Sequence, residues 1–467
     1  MIKSLLTLLP PLARWVAIAI FTASVPPCLA AEPGRPNIIA ILVDDIGVGD
    51  FGFSSGKDFP TPNIDALAKD SCVFTNGYVL PSCSPTRAAL MTGRYPSRFG
   101  IEDNRPLDGP RDGMDTSQVT LPTKLREAGY HTALIGKWHL GKGERSQFAP
   151  RNRGFDEFFG YFGASGKYVD PVLLRNGKEE PRKGYLTDIL TDEACAFLKQ
   201  KHDDKPFFLH LAHMAAHLPQ QAKSEDLARV SNLTGKRRTA AAIIRNLDDN
   251  IGRLMATLME TGLDEKTLVF FLSDNGGEPP VLATNNGPFR GMKFDVLEGG
   301  IRVPFLVRWP GHIAQGKTYE PMVHVMDVFS TSLAAAGAAI PKNVDGVNLL
   351  PYLGATGAKE GRPHERLCWI YNDHKEWRIP GRDTNLARPL RAVREGNWKL
   401  VIEGNNPPEL YAIDTDPGEA RNVAAEHADI VTRLQREFQE WKAEMKPQVI
   451  AEDHPLYGRY KTMQPKR

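Results

Sequence analysis

Cysteine is scarce. The 467-residue chain has 5, and the first, Cys28, falls in an N-terminal stretch that reads as a leader. The other four, Cys72, Cys83, Cys195 and Cys368, are scattered, which excludes a disulfide framework. No Cys and His set has the spacing of a zinc site. An excess of one charge is also missing: 58 Lys and Arg stand against 56 Asp and Glu, a net +2. With Lys3 and Arg14 in the leader the remainder is near neutral, and nothing points to nucleic acid. Internal repeats and low-complexity tracts are absent, which excludes a solenoid. What remains is ordinary globular composition, 41% hydrophobic and 24% charged, in a chain long enough for one large domain or two.

Residues 1–31 hold the leader. Lys3 gives a positive start, Trp15 to Val25 an apolar run, and Cys28-Leu29-Ala30 precedes a cut near Ala30 or Ala31. These are the parts of a secretory signal. Pro10-Pro11 and Arg14 interrupt the run, which argues against a stable membrane span. A secreted or periplasmic enzyme is the expectation.

Four apolar runs end in residues that carry chemistry. Asn37 to Val43 reads as a parallel strand buried on both faces, and it stops at Asp44-Asp45. Ligands gather beyond the carboxyl ends of strands in open α/β sheets. The two aspartates therefore read as hard-cation ligands, or equally as a turn that caps backbone amides. His131 to Gly136 runs into Lys137 and His139, two residues apart and so on one face of extended chain. Pro206 to His213 leads to His217, which lies past the apolar run and is favoured for chemistry over His210 and His213. Thr267 to Leu272 ends in Ser273-Asp274-Asn275-Gly276-Gly277 and repeats the first pattern. Two strand ends thus offer the oxygen shell that Ca²⁺ or Mg²⁺ takes.

Pro81-Ser82-Cys83-Ser84-Pro85-Thr86-Arg87 precedes Ala88-Ala89-Leu90-Met91-Thr92-Gly93. Ser84 as cap and Pro85 in the first position predict a helix start, and Gly93 a stop. Cys83 then sits at a helix mouth whose free N–H groups favour an anion, with Arg87 on the same side. Ala240 to Leu258 predicts a long surface helix in which Asp248 and Asp249 are solvated or capping. Arg94, Arg98, Arg105 and Arg111 form a basic loop that suits an anionic saccharide or is merely solvated. Residues 351–366, rich in Pro, Gly and charge, mark a boundary between segments 32–350 and 351–467. Beyond it, four short strands and a helical stripe (Ile430, Leu434, Phe438, Trp441, Met445) predict a small antiparallel sheet with one helix. Trp369 and Trp377 there frame a cleft or pack.

The ordered motifs resemble the type I sulfatases, formylglycine-dependent arylsulfatase-like enzymes of the alkaline phosphatase superfamily. Cys-x-Pro-x-Arg at Cys83 to Arg87 is similar to their signature. Gly-Lys-x-His ends at His139, and a Pro-His-x-Pro-like motif holds His217, with Ala216 in place of the first proline. Gly-x-Lys with Glu-Gly-Gly-x-Arg-x-Pro behind it contains Lys293, which on its own reads as a surface lysine. Asp416-Pro417-Gly418-Glu419 looks like the family's C-terminal region.

The resemblance implies an α/β fold with a large, mostly parallel sheet and a smaller C-terminal domain. It implies a Ca²⁺ ion on Asp44, Asp45, Asp274 and Asn275, with Cys83 as the formylglycine precursor touching the metal. Arg87, Lys137, His139, His217 and Lys293 complete the implied catalytic set, His217 as proton donor and His139 as base. Ser165 stands near a serine of the family but is displaced, and is left out. The implied partners are a sulfated small molecule or saccharide and, during maturation, the formylglycine-generating enzyme. The alternatives are a phosphonate or phosphate ester hydrolase of the same superfamily, or an inactive secreted glycan-binding relative.

Overall fold

The computed structural model describes residues 34–104, 113–143, 146–200, 205–372 and 389–446. The leader, Arg105, Arg111 and Trp377 lie outside the described residues. In chain order the strands are β1 (Asn37–Val43), β2 (Cys72–Phe74), β3 (Gly77–Tyr78), β4 (His131–Lys137), β5 (Glu157–Tyr161), β6 (Val172–Arg175), β7 (Lys178–Pro181) and β8 (Phe207–Ala212). They continue as β9 (Thr267–Ser273), β10 (Phe305–Arg308), β11 (Lys317–Tyr319), β12 (Val323–His324), β13 (Arg366–Asn372), β14 (Pro389–Glu395), β15 (Trp398–Glu403) and β16 (Glu409–Ala412).

Ten strands form one sheet in the order β11-β2-β10-β9-β1-β8-β4-β5-β6-β7. Its centre, β9-β1-β8-β4-β5, is parallel, so five carboxyl ends open on one edge, those of the four apolar runs among them. β1 shows why the run is apolar without a break. Ile38, Ala40 and Leu42 face one core, with helices Cys83–Thr92, Leu121–Glu127 and Met326–Ala335. Ile39, Ile41 and Val43 face the other, with helices Leu186–Lys199 and Gly235–Glu260. A period of two inside a helix-covered sheet leaves no polar position. Each fully buried Ile or Leu contributes about 1.5–3 kcal/mol.

Several expectations sharpen or change. Phe158 and Phe159 pack within β5, and β6 and β7 extend the sheet behind it. Asp248 is a cap for a different helix, accepting from the N–H of Asn63 at 3.3 Å and of Ile64 at 2.8 Å, whereas Asp249 pairs with Arg229. Arg98 is neither a saccharide contact nor merely solvated: it bonds Asp345 and Glu444, each at 2.8 Å. Arg94 donates to Gln118 Oε1 at 2.6 Å.

β13 to β16 pair antiparallel into a four-stranded sheet. Helix Ala428–Ala443 packs Leu434 and Phe438 against Ile370, Val393 and Leu400, as the stripe predicts. Of its two readings Trp369 takes the packed one: it is buried and its Nε1–H donates to Val79 O at 2.9 Å. Cys72, Cys83, Cys195 and Cys368 are all free and buried. Among the described residues no helix is long and apolar enough to cross a membrane.

Candidate active site

The strand-end residues meet at the carboxyl edge of the parallel strands. After β1 the chain turns sharply, and Asp45 takes left-handed backbone with φ 61°, a conformation aspartate tolerates better than most residues. His139, two residues past β4, does the same with φ 53°. Past β9, Asp274 N–H donates to Val43 O at 2.9 Å and lines up the second carboxylate beside the first pair. Gly276 follows because a Cβ there would lie 1.8 Å from Gly299 O. Only glycine lets this segment pass under the turn behind Lys293.

Helix Cys83–Thr92 brings the sulfur. It starts two residues before the expected point: Ser82 is the N-cap, Cys83 the first helical residue and Pro85 the third. Gly93 ends it at φ 64°, as predicted. The mouth is less open than the sequence implies, because Ser84 N–H donates to Asn104 Oδ1 at 3.0 Å. Asn104 lies 20 residues further along the chain than Ser84, beyond the reach of any local pattern.

Three carboxylates and three cations share the floor. Lys137 Nζ lies 2.5 Å from Asp44 Oδ2, Arg87 Nη2 2.7 Å from Asp274 Oδ2, and Lys293 Nζ 2.8 Å from Asp45 Oδ2. Arg87 also reaches Asp44 at 3.4 Å. Cys83 Sγ is 3.6 Å from Asp44 Oδ1, and His217 Nε2 is 3.7 Å from Asp45 Oδ2. All these carboxylates are at most 1% exposed.

Burial pushes the Asp44 and Asp45 carboxyls up, but Lys137 beside the first and Lys293 beside the second, each helped by His217, hold both below the usual range. Burial opposes the Lys293 ammonium, and Asp45 outweighs it, so the lysine stays charged. Burial, then the Asp274 charge, pushes the Cys83 thiol well above its ordinary value. An unmodified cysteine here is a neutral thiol and a poor nucleophile. Burial, with Lys293 adding to it, lowers the His217 pKa. Its Nδ1–H donates to Leu218 O at 2.9 Å, so the second proton of the imidazolium belongs to Nε2, the atom that faces Asp45.

All ten residues expected at the site come together here except that His139 is tied in through its backbone, its carbonyl accepting from Ser84 Oγ at 3.0 Å. His210, pushed down to about 3 by burial with its Nδ1 on Ala40 O, and His213, pushed down to about 4, are packed under the sheet edge. Sequence reasoning missed Tyr161, whose buried hydroxyl lies in the field of Asp44, and Glu278, three residues past Asn275.

The donor set fits a hard divalent cation. Ligand atoms of Asp44, Asp45, Asp274 and Cys83 lie within 4.8 Å of one another. Asn275 donates from Nδ2 to Asp45 Oδ1 at 2.7 Å, yet its buried Oδ1 has no hydrogen-bond partner. An orphaned buried acceptor beside converging carboxylates is costly unless a cation takes it. Three carboxylates against three cations sum to zero, so a divalent ion would leave the floor positive and suited to an anionic substrate.

The sulfatase family pattern matches residues 36–338, and the pattern of the N-sulphoglucosamine sulphohydrolase C-terminal region matches residues 292–444. The N-acetylgalactosamine-6-sulfatase of Homo sapiens is 32% identical, over 90% of this chain and 88% of its own. The uncharacterized sulfatase YdeN of Escherichia coli strain K12 is also 32% identical, over 91% and 88%. Among solved structures, Ps i-CgsB superposes with a TM-score of 0.84 at 33% identity, over 92% of this chain and 98% of that one. It has also been solved with k-i-k-neocarrahexaose. The phosphonate monoester hydrolase of Agrobacterium radiobacter, at 21% identity and a TM-score of 0.64 over 88% and 96%, shares the fold. With a family pattern across the whole parallel sheet and relatives matched nearly end to end, this chain belongs to the sulfatase family of sulfuric ester hydrolases.

Proposed function

We propose that the protein cleaves a sulfate monoester of a carbohydrate, using formylglycine at position 83 and one calcium ion. The observation that carries the reading is the convergence of three buried carboxylates and an orphaned amide oxygen on the side chain at a helix mouth. Two relatives support the carbohydrate half, one named for N-acetylgalactosamine-6-sulfate chemistry and one solved with an oligosaccharide. Asp44, Asp45, Asp274 and Asn275 would hold the calcium ion, with side chain 83 as a further ligand. Bound there, the ion supplies a hard Lewis acid that draws charge from sulfuryl oxygens. Formylglycine, once formed from Cys83, would supply a hydrated aldehyde as the nucleophile towards sulfur.

The chain's own residues do the rest. Lys137 and Lys293, buried and fixed, neutralise charge on the sulfuryl oxygens as the bond to the alcohol breaks. His217 gives the Nε2 proton to the departing alcohol oxygen, and His139 takes a proton from the second hydroxyl of side chain 83. Arg87 locks Asp44 and Asp274 in register beneath that side chain. Cys83 is 1% exposed in the folded chain, so the formylglycine-generating enzyme has to reach it before folding, on a chain exported by the leader at residues 1–31. Residues 32–350 carry this site and 351–467 form the smaller domain in the same reading.

The test is peptide mass spectrometry of residue 83 together with sulfate release, on protein from a host that has the maturing enzyme. Full activity with an intact thiol overturns the reading, as does turnover by Cys83→Ala. Faster cleavage of an aryl phosphate or phosphonate than of an aryl sulfate moves the assignment to the ester-hydrolase alternative. Affinity for sulfated glycans without sulfate release moves it to a binding relative.

A further inference from the structure

Glu278 is an acidic group at this edge that the mechanism leaves unused. It comes directly after the Gly276-Gly277 passage, and the Gly277 carbonyl that precedes it accepts the Lys293 N–H at 3.0 Å. Its backbone therefore runs beside that of Lys293. Its own N–H is fixed by Thr284 Oγ1 at 2.8 Å, and it caps the short helix Pro279–Leu282. Gln220 ties this segment to the His217 loop, donating to Leu282 O at 3.0 Å and Ala216 O at 3.3 Å. Glu278 thus lies on a segment tied by its backbone to Lys293 and, through Gln220, to the residue before His217.

Its carboxyl has no hydrogen bond or ion pair with any described residue, and it stands outside the ligand atoms that converge on Cys83. Lys293 spends its ammonium on Asp45 instead. Burial pushes the Glu278 carboxyl up to about 7, with Lys293 pulling it back down and Asp45 adding to the rise. A half-buried carboxyl with open lone pairs and solvent at its tip is free to accept hydrogen bonds from a ligand. An anionic sulfate is not that ligand, because like charges repel. A neutral polyhydroxylated group is, since a carboxylate accepts hydrogen bonds from adjacent hydroxyls. The surroundings fit a sugar, with Leu218 41% exposed beside His217 and Pro279 and Pro280 exposed beside Glu278.

We infer that Glu278 is a specificity-determining residue that accepts hydrogen bonds from saccharide hydroxyls on the leaving group, next to the sulfated carbon. The inference rests on the sulfatase reading above and adds the contact that tells a sugar sulfate from an aryl sulfate.

The experiment compares matured wild type, Glu278→Ala and Glu278→Gln on 4-nitrophenyl sulfate, which has no hydroxyl to offer, and on the sulfated hexose or hexosamine that wild type turns over fastest. The expected result for Glu278→Ala is a loss of about 10- to 100-fold in kcat/KM on the sugar sulfate, mostly in KM, the size of a lost charged hydrogen bond. Aryl sulfate turnover stays within about threefold. Glu278→Gln, which keeps an acceptor oxygen, recovers part of the sugar activity. Equal losses on both substrates overturn the inference in favour of a structural or catalytic role, and no loss on either overturns it outright. A wild type that cleaves neither ester overturns the sulfatase reading itself, which is a separate and recognisable failure.

Discussion

Two buried clusters in this protein are built from the same residue types and serve opposite ends. At the site, Asp44, Asp45 and Asp274 meet Arg87, Lys137 and Lys293. Behind it, Glu298 and Glu419 meet Lys399, Arg302 and Arg394. Lys399 Nζ lies 2.7 Å from Glu298 and 2.9 Å from Glu419, with all three fully buried. Tyr78 O–H and Arg302 also donate to Glu298, and Glu298 N–H donates to Glu419 Oε2 at 2.7 Å. In this second cluster two carboxylates share one lysine, with Tyr78, Arg302 and the Glu298 N–H on their other oxygens. In the first, three carboxylates face one another, and an amide oxygen is left over. Burial of charge does not mark a site. What marks it is like charge brought together with an acceptor unfilled, because folding alone does not reward that arrangement.

The comparison breaks most visibly at Cys83. Cys83→Ala should reduce sulfate release by about 10⁴-fold or more, as loss of a nucleophile does, while urea unfolding changes little. Lys399→Met should do the reverse. It leaves two buried carboxylates without their cation, which costs about 3–5 kcal/mol, while kcat on the surviving folded enzyme changes only severalfold. If Lys399→Met abolishes turnover without moving the unfolding midpoint, the division between the clusters is wrong. Calcium provides the next largest effect. At a hundred times its dissociation constant it should stabilise wild type by about 2.7 kcal/mol, read as a rise in melting temperature. Asp274→Asn should lose that rise, and Glu298→Gln should keep it.

The two clusters were not equally legible in the sequence. Asp44, Lys137, His217 and Asp274 each follow an apolar run, so strand logic found them before any contact was known. Lys399 and Glu298 are 101 residues apart, and although Glu298 opens the Glu-Gly-Gly-x-Arg-x-Pro motif, nothing local pairs it with Lys399. Arg98 looked free for the same reason, since its partner Asp345 is 247 residues away. β5 hid behind the adjacent Phe158 and Phe159, both buried, because a strand covered on two faces loses its alternation. The helix at Cys83 begins two residues earlier than the Ser84-Pro85 pair implies, and Asn104, distant in sequence, takes the Ser84 amide inside its first turn. Glu278 carried no signal at all: a lone glutamate after two glycines has nothing periodic about it.

The smallest effect is the pH dependence of the second cluster. Burial pushes the Glu419 carboxyl up to about 7 from an ordinary 4.5, with Lys399 pulling down and Glu298 adding to the rise. An acid whose folded pKa is the higher one takes up a proton on folding. Its stabilisation is complete below about 4.5 and is lost as pH rises through about 7. Glu298 runs the other way. Burial raises it, but Lys399, Arg302 and Arg394 outweigh burial and hold it down, so its contribution is present above 4.5 and fades towards acid. Between pH 5 and 7 Glu419 contributes a slope of no more than about 1.4 kcal/mol per pH unit, alongside Glu102 and Glu278, whose carboxyls burial also pushes up to about 7. Urea midpoints measured across that window should fall with pH in wild type and fall less steeply in Glu419→Gln. A slope that survives the substitution unchanged would assign it to another group and leave the second cluster as electrostatically closed as its hydrogen bonds suggest.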